Sequence, residues 1–334
     1  MGCAQEKGDG VNGKGIGRWL GLALGFTTLT ASAAAAQAGQ TYVIVVSGIG
    51  GEPQFSEAFM AWGAQIVEAA QSKYGVPASN ITFLAEKAGA ATVTGEARKE
   101  NVEEAFADVA ARATAADLLF VVLIGHGSFR GEESRINLPG PDLSAQEFAR
   151  LLDPVKARVA FTNTTSASGE WLKVIAGENR AVVTSTKSGM ERNESVFGRF
   201  FADALAKDVA DIDKDGRVSL KEAFDYASAE VKRHYEGDKR LLTEHAQIVD
   251  SASIAARMFL GAGGAAGVAV PADASPEVRA LYTKKQDLEE RIAALRARRD
   301  SMEAAQYQAE LEPLLIELAR TDAEIRRRSN GGSS

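Results

Sequence analysis

The chain has 334 residues, room for one large domain or two modest ones, and its 45% apolar and 25% charged residues are ordinary for a soluble globular protein. A formal net charge of −7 gives no electrostatic reason to expect a nucleic-acid partner. The one cysteine, Cys3, lies in a segment expected to be removed, so the mature chain has no disulfide, no thiolate metal ligand and no cysteine nucleophile.

Lys7, Lys14 and Arg18 precede an apolar run from Trp19 to Leu29 and the Ala-rich stretch 31–38. A positive region, a short apolar region and an A-x-A ending describe a secretory signal peptide, which implies an exported, periplasmic or secreted protein. The expected cut follows Ala38, with Ala33 to Ala36 as alternative ends; the competing reading is an uncleaved anchor, for which the run is short. Residues 1–38 are therefore set apart from the fold. Nothing beyond them is long and apolar enough for a transmembrane span.

Residues 41–47 (TYVIVVS) form a β-branched run that leaves into Gly48, Gly50 and Gly51, a buried strand followed by a loop. Helical spacing follows over 55–74, then a short strand over 81–84 and a helix over 101–113. Residues 117–124 (DLLFVVLI) are the most apolar run of the mature chain and predict a central parallel strand, with two more strands at 159–162 and 181–185. Strands alternating with helices argue for an α/β domain over 39–260, a parallel sheet with helices on both faces. Helices are expected at 197–207 and 220–235. A Gly/Ala-rich linker spans 261–275. Beyond it, Leu281, Leu288, Leu295 and Met302 recur every seven residues with Ile292 in the other seam position, and Leu311, Leu314, Leu318 and Ile325 make a second stripe. Polar residues over 303–308, with Pro313 after them, predict a helical hairpin or coiled coil over 276–328, a surface for a protein partner or for self-association.

Between the helices at 197–207 and 220–235 lies DIDKDGRVSLKE (211–222), which fits the EF-hand calcium loop at each diagnostic position. Asp211, Asp213 and Asp215 would supply carboxylates, Gly216 the sharp turn, Arg217 its backbone carbonyl, Ser219 a direct or water-mediated ligand, and Glu222 a bidentate closure. Val218 would pair its backbone or pack inward. The competing reading is a solvated acidic turn in which Asp211 and Gly216 cap helices. A single such loop favours a structural Ca2+ site over a paired sensor.

Gly125-His126-Gly127-Ser128 follows the apolar strand directly, placing a histidine at the C-terminal edge of a parallel sheet, where α/β folds carry their sites. The strand at 159–162 runs into Asn163-Thr164-Thr165-Ser166-Ala167-Ser168-Gly169, a hydroxyl cluster able to supply a nucleophile or to cap the next helix. The order strand–GHG, strand–(C-x-S-G) resembles the caspase/legumain superfamily of cysteine peptidases, including bacterial secreted members in which an acidic loop follows the last site strand. The resemblance covers residues 41–258. It places His126 on the catalytic histidine, Ser168-Gly169 on the Ser-Gly after the nucleophile, and Ser166 on the cysteine itself. It implies a caspase-like fold and a pseudo-peptidase that keeps a cleft for a peptide or protein ligand; the alternative is a peptide hydrolase using Ser166 with His126 as base. Glu132, Glu133 and Asp153 are the carboxylates near enough in sequence to orient the histidine. Two segments, Asn80-Ile81-Thr82 and Asn193-Glu194-Ser195, match the glycosylation sequon. Arg326-Arg327-Arg328 is a basic helix end favoured by the helix dipole.

Overall fold

The computed structural model describes residues 39–207, 209–212, 217–261, 275–297, 299 and 302–330. The leader at 1–38, Asp213, Asp215 and Gly216 of the acidic loop, and linker residues 262–274 lie outside the described residues.

In chain order, β1 (Thr41–Ser47) leads through α1 (Pro53–Glu68) to β2 (Ile81–Ala85), β3 (Gly95–Glu96) and α2 (Lys99–Arg112). β4 (Leu118–Ile124) is followed by three short strands, β5 (Gly127–Arg130), β6 (Glu133–Ile136) and β7 (Leu143–Ser144), and by α3 (Ala145–Leu152). Then come β8 (Arg158–Asn163), α4 (Trp171–Ile175), β9 (Arg180–Thr184), α5 (Phe197–Ala206), α6 (Leu220–Gly237) and β10 (Gln247–Val249). The helices α7 (Pro276–Ala297) and α8 (Ala304–Asn330) close the chain.

The main sheet has the order β10-β9-β8-β4-β1-β2-β3, parallel throughout except that β10 runs antiparallel to β9. β1 and β4 lie at its centre in register Thr41↔Leu118 to Ser47↔Ile124, and every residue of both is buried. That burial on two faces is why both read as continuous apolar runs rather than alternating ones. Successive side chains divide between two cores. Val43, Val45, Phe120 and Val122 pack with α1, α5 and α6, and Ile44, Val46, Leu119 and Val121 pack with α2, α3 and α4. Thus the mixed α/β architecture, its mostly parallel sheet and the helices on both faces stand as expected.

β5, β6 and β7 form a separate antiparallel sheet that the sequence reading missed. Its strands are two to four residues long and carry only Phe129, Ile136 and Leu143 as large apolar groups, too little for a periodic signal. The sheet packs its first strand directly after His126. Asn80 of the first sequon is buried, its Nδ2 donating to Gln40 Oε1 at 2.9 Å, a setting with no room for a glycan.

α7 and α8 fold back on each other around Leu288, Ile292, Leu295 and Leu314, with Leu311, Leu318, Met302 and Tyr307 against them. Lys284–Glu317 and Lys285–Asp322, both 2.8 Å, tie the two helices. The reversal falls before Ala304, so the polar residues 304–308 and Pro313 are inside α8 rather than at the turn. Among the described residues no helix is long and apolar enough to cross a membrane.

Candidate functional site

The loops after β1, β4 and β8 emerge at the same C-terminal edge of the sheet, and they carry Gly50, His126 and Ser166. Gly125 takes φ +146°, a conformation glycine adopts freely, and lets the chain turn against Gly48, whose N–H donates to Ile124 O at 2.8 Å. His126 then sits half-buried, edge-on to Phe55 and Phe59 with ring centroids 5.0 and 5.1 Å away. Its Nε2 lies 3.2 Å from Gly50 O. A carbonyl oxygen only accepts, so Nε2 carries the hydrogen of this contact, and in the neutral ring Nδ1 is the acceptor nitrogen.

The group that orients the imidazole is therefore a backbone carbonyl. Behind it stands Glu86, at the end of β2, whose Oε2 accepts from Gly50 N–H at 3.2 Å and from Ser56 Oγ at 2.6 Å. A Cβ at Gly50 would lie 2.2 Å from Ser56 N, so glycine is required for this close approach. None of the three carboxylates near in sequence touches His126. Glu133 pairs with Arg135, Asp153 lies 3.7 Å from Arg180, and Glu132 is on the exposed turn between β5 and β6. Sequence proximity misled because Glu86 comes from a different strand, 40 residues away along the chain from His126.

Ser166 is 3% exposed. Its Oγ accepts from Gly127 N–H at 3.1 Å and donates to Gly127 O at 3.3 Å. The hydroxyl is thus satisfied by one residue's backbone, and no hydrogen bond joins it to the imidazole of His126. A Cβ at Gly127 would lie 2.1 Å from Ser166 O, so the two segments meet backbone to backbone. Ala167, fully buried, has φ +56°, a left-handed conformation that costs about 1–3 kcal/mol and persists only where its surroundings impose it. They do so here: Ala167 N donates to Glu191 O at 2.7 Å, and Ser134 Oγ donates to Ala167 O at 2.6 Å while accepting from Trp171 Nε1 at 2.7 Å.

The rest of the hydroxyl cluster is structural. Asn163 Oδ1 accepts from Thr165 N and Oγ1 at 2.9 and 2.7 Å, and Ser168 Oγ lies 3.2 Å from Ser185 Oγ and 3.1 Å from Thr186 Oγ1. The Asn163 bonds fold the chain at the end of β8, and the Ser168 bonds tie the loop after β8 to the segment after β9.

Two acidic residues beyond β9 went unnoticed in the sequence. Glu191 joins Lys187 N at 3.0 Å and His245 Nδ1 at 2.5 Å, linking the loop behind Ala167 to the segment before β10. Glu244, 3% exposed, accepts from Ser195 Oγ, Val196 N and Phe197 N at 2.5, 3.0 and 2.9 Å and so caps the start of α5 from 47 residues along the chain. Burial pushes its carboxyl above the ordinary value despite those donors. A cap supplied from so far away has no local spacing signature.

The acidic loop joins α5 to α6. Ser219 is the N-cap of α6: its Oγ accepts from Glu222 N at 3.2 Å, and Glu222 Oε2 accepts from Ser219 N–H and Oγ, each at 2.9 Å. Glu222 Oε1 accepts from Ile212 N–H at 3.0 Å, closing the ends of the segment on each other. Val218 is buried, one of the two outcomes expected for it. Ser219 bridges to Phe259, whose ring lies 3.9 Å beneath the Arg217 guanidinium. Asp213 and Asp215 are outside the described residues, and among the described ones no three metal-capable side chains converge.

No family model and no curated protein matches the chain. Solved structures similar to it include protein GSU0716 from Geobacter sulfurreducens, at 11% identity over 63% of this chain and 92% of that one with a TM-score of 0.40. The Drosophila initiator caspase Dronc aligns at 10% identity over 64% and 80%, TM-score 0.41, and drICE at 8% over 64% and 88%, TM-score 0.38. Likenesses of this strength carry no residue roles to this chain.

Proposed function

We propose that this protein is an exported pseudo-peptidase of the caspase/legumain type, acting as a binding or scaffold protein. The observation that carries the reading is the bonding of Ser166, whose hydroxyl both accepts from and donates to the backbone of Gly127 and is nearly excluded from solvent. A serine is about as acidic as water and reacts only when a base holds its proton within about 2.6–3.2 Å. His126 bonds Gly50 O through Nε2, and no hydrogen bond joins its ring to the Ser166 hydroxyl, whose partner is the Gly127 backbone. What remains at the sheet edge is an oriented imidazole beside two phenylalanines, a surface suited to binding a peptide or protein ligand rather than cleaving it. Cleavage assays on peptide libraries decide between the two activities. Hydrolysis lost in both Ser166→Ala and His126→Ala would establish a serine hydrolase instead.

Calcium is the cofactor in this proposal, held at 211–222 by Asp211, Asp213, Asp215, the Arg217 carbonyl, Ser219 and Glu222. One described feature supports it: the Glu222–Ile212 bond closes the ends of the loop on each other. The ion would fix the reversal between α5 and α6. Titration calorimetry on the wild type and Glu222→Gln tests it, and calcium at 100 times the dissociation constant should stabilise the fold by about 2.7 kcal/mol. An unchanged melting temperature would dismiss the ion. Export itself is tested by N-terminal sequencing of the mature protein, which should begin near Gly39.

A further inference from the structure

α8 carries two apolar faces, and the hairpin uses only one. Leu314, Leu318, Thr321 and Ile325 turn towards α7 or lie buried beside it. About a third of a turn round the same helix, Gln308, Glu312, Leu315 and Ile316 border a shallow, open hollow of ≈ 260 Å³, with Leu311 at the boundary between the two faces. Leu315 is 41% and Ile316 46% exposed, side by side in the middle of the helix. The same stripe continues through the exposed Ala319, Ala323 and Arg326.

The charges decide what covers it. Most charges of α8 near this stripe are engaged within the chain: Glu317 and Asp322 pair with lysines of α7, and Glu324 holds Arg327 and Arg328. Glu312 and Arg326 stand on the stripe itself and form no ion pair with any described residue. They are opposite in sign and equidistant from Ala319, seven residues on either side.

We infer that this face is a homodimer interface in which two copies of α8 cross antiparallel about a two-fold axis at Ala319. A two-fold contact uses the same patch on both copies, so a residue that meets a second must be met by it in return. In this register Ala319 faces Ala319, Leu315 faces Ala323, and Glu312 faces Arg326 twice over. Large side chains then enter the gaps left by small ones, as helix packing requires. The antiparallel arrangement also opposes the helix dipoles favourably, and it brings Glu312, near the N-terminal end of α8, to Arg326, near the C-terminal end of the other copy. This inference does not depend on what the sheet edge binds.

Sedimentation equilibrium of the purified protein is the test, with far-UV circular dichroism confirming that each variant keeps its helices. Wild type is a dimer at about 0.1 mM, and Leu315→Glu combined with Ile316→Glu yields a monomer. Glu312→Arg alone, or Arg326→Glu alone, places like charges together twice and weakens the dimer about tenfold. The double variant Glu312→Arg/Arg326→Glu restores the wild-type constant. A monomeric wild type would overturn the inference. So would a dimer that ignores the Leu315/Ile316 change, or charge variants whose losses simply add.

Discussion

The two halves of the sheet edge are built on opposite plans. On the His126 side a half-exposed ring is oriented by one weak contact, a carbonyl 3.2 Å away, backed by Glu86 and walled by two phenylalanines. On the Ser166 side the hydroxyl of Ser166 is tied to backbone, the residue after it is forced left-handed, and a buried tryptophan and serine lock that conformation. The first half presents a half-buried imidazole at the sheet edge; the second is held by backbone packing. A reactive hydroxyl needs the reverse, an exposed Oγ whose only acceptor is the base.

Gly127→Ala strikes the comparison hardest. Its Cβ would lie 2.1 Å from Ser166 O, an immovable backbone atom, so about 3 kcal/mol or more of stability should be lost in urea unfolding. A loss under about 1 kcal/mol would mean that the halves are not packed backbone to backbone. Ser134→Ala should cost about 1–3 kcal/mol, because it strands both Trp171 Nε1 and Ala167 O in the core. If it is neutral, the left-handed turn is held by something else.

The Ser166 side also has a pH signature. Because burial raises the Glu244 carboxyl above its ordinary value of 4.5, the folded state binds that proton more tightly than the unfolded state does. Its contribution is full below about 4.5 and is lost as pH rises through the raised folded value. Melting temperatures of Glu244→Gln relative to wild type should accordingly rise with pH across that window; a constant difference would contradict it. The acid side has a counterpart in Glu147 beside α2. Burial pushes its carboxyl up, but Lys99 and the Ser144 cap outweigh that and bring it to about 2, so stability falls as pH drops from 4.5 towards that value. The smallest effect is on the His126 side. The protein has three histidines, so the imidazole nitrogens of His126 are readily assigned by NMR. Wild type should show the Nε2–H tautomer, Glu86→Ala a mixture, and Glu86→Gln a return towards wild type.

The sequence exposed what depends on runs and periods. β1 and β4 were legible because burial on two faces leaves unbroken apolar stretches, and the glycines around His126 marked the turn that brings it to the sheet edge. The hydroxyl cluster around Ser166 was legible in composition, but the bonding of Ser166 to Gly127 was not, since backbone partners have no residue signature. Glu86, Glu191 and Glu244 escaped for a related reason. Each acts on groups 30 or more residues away or on a neighbouring loop, so no local spacing announces it. The hairpin stripes were legible at heptad spacing, whereas the second face of α8 needed exposures to be seen.

The central claim, that Ser166 is scaffold and not a nucleophile, is tested most directly by exposing the protein to a fluorophosphonate, which phosphonylates only activated serines, and mapping any adduct by mass spectrometry. The account predicts no adduct on Ser166 in wild type and none in His126→Ala. Stoichiometric labelling of Ser166 in wild type, abolished by His126→Ala, would contradict it.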